Sequence, residues 1–202
     1  MAAAFASVSA LTVTPGNLAQ VDSALVRNPC DPTIVGSPSG SPVLGCLNGN
    51  LSQTISISSD ESLEIDGGAA ILDSTDGLFS QLTFSATEPG SLSTARFDID
   101  AAFDGFVTFT DGLGTIGYFA LDDNGQNFFT VTGISGNVLT IVSYNIGLSE
   151  TDIIAKVTDI RLGVVGGTVP EPGTVPEPGT YALVMAGLAT VGLVTRRRKS
   201  KK

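Results

Sequence analysis

Between Gln53 and Val165, apolar side chains recur at every second residue in short runs. Ile55 and Ile57 alternate with serines, and Leu82 and Phe84 with Thr83 and Ser85. Phe97, Ile99 and Ala101 oppose Arg96, Asp98 and Asp100; Val107 and Phe109 flank Thr108; Phe129/Val131 and Leu139/Ile141 continue the pattern. Successive side chains of a strand point to opposite faces, so runs of this period suit half-buried strands rather than helices. The turn signals "DGG", "DDNGQN" and "GISGN" fall between the runs at roughly the 8–12-residue spacing of all-β domains. The pattern predicts an all-β fold, an antiparallel, jelly-roll-like β-sandwich of roughly eight to ten strands over residues 53–167, because two-sheet packing manages exposed edges. Only "LAQVDSALVR", with Leu18, Val21 and Leu25, suits a short helix. A chain of 202 residues with 24 glycines and neither Trp nor His fits a single turn-rich domain with a tail.

The charge is unevenly placed. Residues 1–195 hold 4 basic and 20 acidic side chains, a net of −16, whereas residues 196–202 hold six basic and none acidic. A body so acidic repels phosphate backbones, which argues against nucleic acid as a partner. Cys30 and Cys46 bracket "DPTIVGSPSGSPVLG", a segment with little apolar content, within a looped region over residues 14–52. A disulfide between them is the natural reading. Closing a loop of this size contributes about 3 kcal/mol and persists in an oxidising compartment; free thiols in a reducing one are the other reading. Residues 1–13, with Ala4 and Ala6 in A-x-A spacing, read either as the remnant of a signal peptide or as an N-terminal strand or arm.

The chain ends on three contiguous features. "VPEPGT" stands twice, presenting Pro170-Glu171-Pro172 and Pro176-Glu177-Pro178 in a proline-rich linker over residues 168–180. Each proline fixes its own φ and biases the preceding residue toward extended backbone, so both glutamates sit in stiff stretches that a peptide-reading enzyme can grip. Residues 181–195 carry no charge and, as a helix, rise about 22 Å against a hydrocarbon core of about 30 Å, a short transmembrane helix and a weak anchor. Arg196, Arg197, Arg198 and Lys199, followed by Lys201 and Lys202, do not readily cross a membrane, so residues 196–202 stay cytoplasmic and the body lies on the other side.

Together, from residue 169 to about 202, these parts resemble the PEP-CTERM protein-sorting signal of Gram-negative, exopolysaccharide-producing bacteria, also catalogued as an ice-binding-protein C-terminal motif. The resemblance implies recognition by an integral-membrane exosortase, a cysteine-dependent processing enzyme. It further implies residence in the inner membrane before processing, removal of the tail, and delivery to the cell surface or extracellular matrix. The second proline motif abuts the apolar stretch, whereas the first lies six residues further out, about 19 Å in extended backbone, and serves equally as a spacer.

Within the body, "GLGTIG" (Gly112, Gly114, Gly117) fits a dinucleotide fingerprint, but "YFALD" follows where a helix is needed, so a hairpin turn is expected. Asp122, Asp123 and Asn124 before Gly125 fit part of a calcium loop; the spacing is incomplete and Asn124-Gly125 is itself a type I′ hairpin signal. Asp98 and Asp100 share a strand face and could join Asp104 at a cation, although a solvated acidic face is the commoner outcome. The absence of histidine removes a Ser-His-Asp triad and His-ligated zinc, and a glycosidase-like carboxylate pair would require two acids converging in a cleft. Thr108/Thr110 and Thr130/Thr132 stand as isolated Thr-x-Thr pairs. The expectation is a non-enzymatic surface or matrix protein with no resident cofactor or metal, associated with exopolysaccharide. The other reading is a carbohydrate- or calcium-binding jelly-roll module, favoured by an exposed Tyr118 or Tyr144 beside acidic groups.

Overall fold

The computed structural model describes residues 10–16, 23–26, 30, 39–65, 71–75, 77–87, 90–135, 137–145 and 152–166. The chain divides into two compact units, Met1–Gly167 and Thr168–Lys202. The second unit, and with it the helix expected at residues 181–195 and both proline motifs, lies outside the described residues. Among the described residues no helix is long and apolar enough to cross a membrane.

The first unit is all-β, with strands in chain order β1 (Thr12–Pro15), β2 (Leu25–Val26), β3 (Ser39–Gly40), β4 (Val43–Leu47), β5 (Asn50–Ser59), β6 (Leu63–Ile65) and β7 (Leu72–Ser74). There follow β8 (Gln81–Ala86), β9 (Ser91–Ala101), β10 (Gly105–Thr110), β11 (Thr115–Leu121), β12 (Asn127–Thr132), β13 (Val138–Tyr144) and β14 (Ile154–Val165). They form two seven-stranded sheets, β1-β12-β9-β14-β7-β6-β3 and β11-β10-β13-β8-β5-β4-β2. Every pairing is antiparallel.

The last eight strands are nested. β10 pairs with β11, β9 with β12, β8 with β13 and β7 with β14, so one long hairpin is rolled up with its tip at Asp111–Gly114. Gly112 takes a left-handed φ of 86° at that tip, the hairpin turn expected there. Asp111, buried, accepts backbone N–H groups from Leu113 (3.0 Å), Gly114 (3.2 Å) and Ser135 (3.1 Å), tying the tip to the β12–β13 connection.

The alternating residues do line the core: Ile55, Ile57, Leu82, Phe84, Phe97, Ile99, Ala101, Val107, Phe109, Phe129, Val131, Leu139 and Ile141 are all buried. At its centre Phe97 stacks on Phe84 (6.2 Å between centroids) and Phe109 (5.9 Å), and Phe109 packs on Phe129 (5.2 Å) and Phe119 (5.6 Å). Five rings from five strands of both sheets therefore meet; the four buried ones each contribute about 2–3 kcal/mol by burial, and Phe119 packs on them partly buried.

Three expectations need correction. Residues 14–52 are not simply a loop: β1 to β4 and the start of β5 come from there or begin just before it, and they join both sheets, taking the count among the described residues to 14 strands. Leu25, in the stretch that suits a short helix, is in β2, buried against β4, while Thr12 and Val13, in the segment read either as a signal-peptide remnant or as a strand, belong to β1. Strands of two residues carry no period to detect. Lastly, the Asp122–Gly125 turn is not a hairpin, because it carries the chain from β11 in one sheet to β12 in the other. It is closed instead by Gly125 N–H donating to the Asp122 carbonyl at 3.3 Å.

Candidate functional site

The disulfide expected from the sequence is present: Cys30 and Cys46 are bonded, with Cα atoms 5.7 Å apart. Cys46 sits in β4 between Val26 and Thr54, so the bridge pins residue 30 to the edge of the second sheet.

The acidic residues divide differently from expectation. Asp104 does not join Asp98 and Asp100. The register Gly105↔Leu121 brings the foot of β10 beside the top of β11, and Asp104 there meets Asp122 and Asp123, with one carboxylate oxygen of each within 4.8 Å of the others. Asp104 Oδ1 accepts the Asp123 N–H (3.0 Å), and Asn127 holds the turn by accepting the Asp122 N–H (2.9 Å) and donating to the Asp122 carbonyl (3.0 Å). Three exposed carboxylates supply half or fewer of the six to eight oxygens that Ca²⁺ takes.

Asp98 and Asp100 lie instead among the charges of the first sheet. Asp100 pairs with Lys156 at 3.2 Å. Asp98 is only 6% exposed, its Oδ1 has no hydrogen-bond partner, and burial together with the neighbouring Asp100 pushes its pKa up, despite a backbone N–H from Asn127. Beside it Arg96 is bridged to Asp159, and Asp159 also accepts from Arg161 Nε at 3.0 Å. Asp159 adopts φ 48° in a break in the β14 register, a conformation Asp tolerates better than most residues.

The second sheet presents another surface. Phe106 in β10 is paired laterally with Ala120 in β11 and Tyr144 in β13. The β10–β11 register shifts between Val107 and Phe109, opposite Gly117 and Tyr118, and Gly117 has a left-handed φ of 33°. Such a bulge re-aims the side chain it carries. Tyr118 is 73% exposed and meets Tyr144, 39% exposed, edge to face at 5.9 Å. Across the same face run Thr110, Thr140, Thr83 and Ser58 as register partners on four adjacent strands, with the Thr83 and Thr140 hydroxyls 3.1 Å apart. The Thr-x-Thr pairs are thus not isolated: Thr130 and Thr132 likewise face Thr14 and Thr12. At the rim, Asp60 accepts from Ser59 Oγ (2.9 Å), Ser80 N–H (3.1 Å) and Gln81 N–H (3.1 Å), and from Ser80 Oγ. Partial burial alone would raise its pKa, but these hydrogen bonds together outweigh it and hold the carboxyl below its ordinary value.

A cleft of about 320 Å³ opens at the sandwich edge between Pro15, Phe119, Phe128 and Phe129, with Gln126 and Asn127 as its polar walls. It holds no carboxylate.

A family model of the PEP-CTERM protein-sorting motif matches residues 174–199. The chain carries a PEP-CTERM sorting motif. The match begins at Thr174, so it takes in Pro176-Glu177-Pro178, the apolar stretch and Arg196–Lys199, and leaves out Pro170-Glu171-Pro172. A PEP-CTERM signal targets its bearer to an exosortase and marks an exported protein held for a time at the membrane. No curated protein and no solved structure matches the chain.

Proposed function

We propose that this protein is a non-enzymatic component of the cell surface or extracellular matrix. It is delivered there by exosortase processing of its PEP-CTERM tail and is associated with exopolysaccharide. The observation that carries the reading is the match at residues 174–199, where the motif, the uncharged stretch and the arginine cluster adjoin. The Cys30–Cys46 bond supports it, since disulfides persist outside the reducing cytoplasm. The pairing β7-β14-β9-β12 against β8-β13-β10-β11 is that of an eight-stranded jelly roll, widened by β1 to β6, an architecture common to binding modules. Pro176-Glu177-Pro178 is the working copy and the first copy a spacer. Substituting Glu177→Ala together with Glu171→Ala is expected to trap an unprocessed membrane form in cell fractionation, with intact mass showing the tail retained. Normal surface delivery of that double variant would overturn the sorting account.

A second reading, a carbohydrate- or calcium-binding module, is favoured by the exposed Tyr118–Tyr144 pair and by the convergence of Asp104, Asp122 and Asp123. Isothermal titration with Ca²⁺, alone and with glycan, separates its two halves.

A further inference from the structure

Among the described residues, every charged residue borne by a strand lies in one sheet. Glu64, Asp73, Arg96, Asp98, Asp100, Lys156, Asp159 and Arg161 all belong to the first sheet, and the seven strands of the second contain no Asp, Glu, Lys or Arg. In a chain whose residues 1–195 carry a net charge of −16, an uncharged sheet face is a place where a neutral polymer approaches without desolvating a charge, while a polyanion is repelled by the surroundings.

We infer that the outer face of the second sheet is a binding platform for an uncharged polysaccharide, with Tyr118, Tyr144 and Phe106 stacking on sugar rings and Thr110, Thr140 and Thr83 bonding their hydroxyls. The inference rests on the carbohydrate reading above and names its face and ligand class. Three features converge on it. The bulge at Gly117 turns Tyr118 outward, where burial gains it nothing in the free protein. Tyrosine combines an apolar ring for the C–H face of a sugar with a polar tip that stays hydrated. The threonine row, on strands about 4.8 Å apart, offers donors and acceptors in a line across the sheet.

Affinity electrophoresis of the purified full chain in detergent, with hydroxyethylcellulose or galactomannan in the gel and alginate as the anionic control, tests this. The neutral glycans are expected to retard the wild type and alginate is not. Tyr118→Ala with Tyr144→Ala weakens retardation tenfold or more, the two Tyr→Phe changes preserve it within threefold, and Lys156→Ala on the other sheet leaves it unchanged. Ala120→Glu, which adds a charge beside Phe106 without removing a ring, is expected to abolish it. No retardation of the wild type by either neutral glycan overturns the carbohydrate reading and the platform together. Retardation that survives both the double alanine variant and Ala120→Glu overturns the platform alone, as does loss in Lys156→Ala equal to that in the tyrosine variants.

Discussion

The outer face of the first sheet carries ion pairs beside its own threonines and Phe128, whereas the strands of the second present hydroxyls and rings without a charge. On the first, Arg96 and Arg161 share Asp159, Lys156 meets Asp100, and Asp98 is enclosed among them with one oxygen unpartnered. On the second, the nearest charges among the described residues stand at the rims, in Asp60, in Asp111 at the β10–β11 tip, and in Asp104, Asp122 and Asp123. Both faces cover the same phenylalanine core, so hydrophobic burial does not distinguish them. What differs is how much of each surface is committed to holding the fold. On the first sheet the pairs Arg96–Asp159–Arg161 and Lys156–Asp100 tie the irregular strand β14 to β9. The tyrosines of the second satisfy little within the protein and remain available.

The largest test of this contrast is Asp159→Ala. It leaves Arg96 half-buried without its partner and places alanine at positive φ, and is expected to cost about 2–3 kcal/mol in urea denaturation. Asp159→Gly removes the charge but accepts the backbone, so the difference between the two variants separates ion pair from strain. A cost below about 0.5 kcal/mol for both would break the claim that the first face is structural.

Next come the two carboxylates whose pKa values move in opposite directions. Asp98 is raised, so its contribution is fully present below the ordinary carboxylate range and is lost as pH rises through its raised value. Asp60 is lowered, so its contribution is present above that range and lost as pH falls through its lowered value. Asp98→Asn should therefore flatten the decline in stability on the high side of the aspartate range, and Asp60→Asn should flatten the loss on the low side while costing about 1 kcal/mol near neutrality. Denaturation midpoints of both variants between about pH 3 and pH 6 check the signs.

The smallest expected effect is on the second face. Tyr118→Ala should change stability by less than about 0.5 kcal/mol, since the ring is largely in water. A larger loss would mean that this face too is structural, and would sharpen the comparison by moving Tyr118 from the available side to the committed one.

Much of the core could be read directly, because each alternating run in β5, β8, β9, β10, β12 and β13 is regular over at least two turns of the pleat. β14 escaped that reading in part: its buried residues Val157, Ile160 and Leu162 are spaced three and then two apart, since Asp159 inserts an extra residue. β2 and β3 escaped it altogether, each being two residues long. The tail motif was legible because it is contiguous in sequence. The Asp104, Asp122 and Asp123 cluster was not, because it is assembled by the β10–β11 register rather than by spacing. The uncharged face required strand order as well: "GFVTFT", "TIGYFAL" and "VLTIVSY" are each visibly neutral, but only their adjacency makes a surface.

The place of β14 has one more consequence. The final strand of the body is an interior one, paired with β9 on one side and β7 on the other. Without residues 154–165 that sheet falls into two fragments, β1-β12-β9 and β7-β6-β3. The stretch that immediately precedes the tail is therefore the keystone of that sheet, and a body cut short before it would leave β9 and β7 each with an unpaired edge.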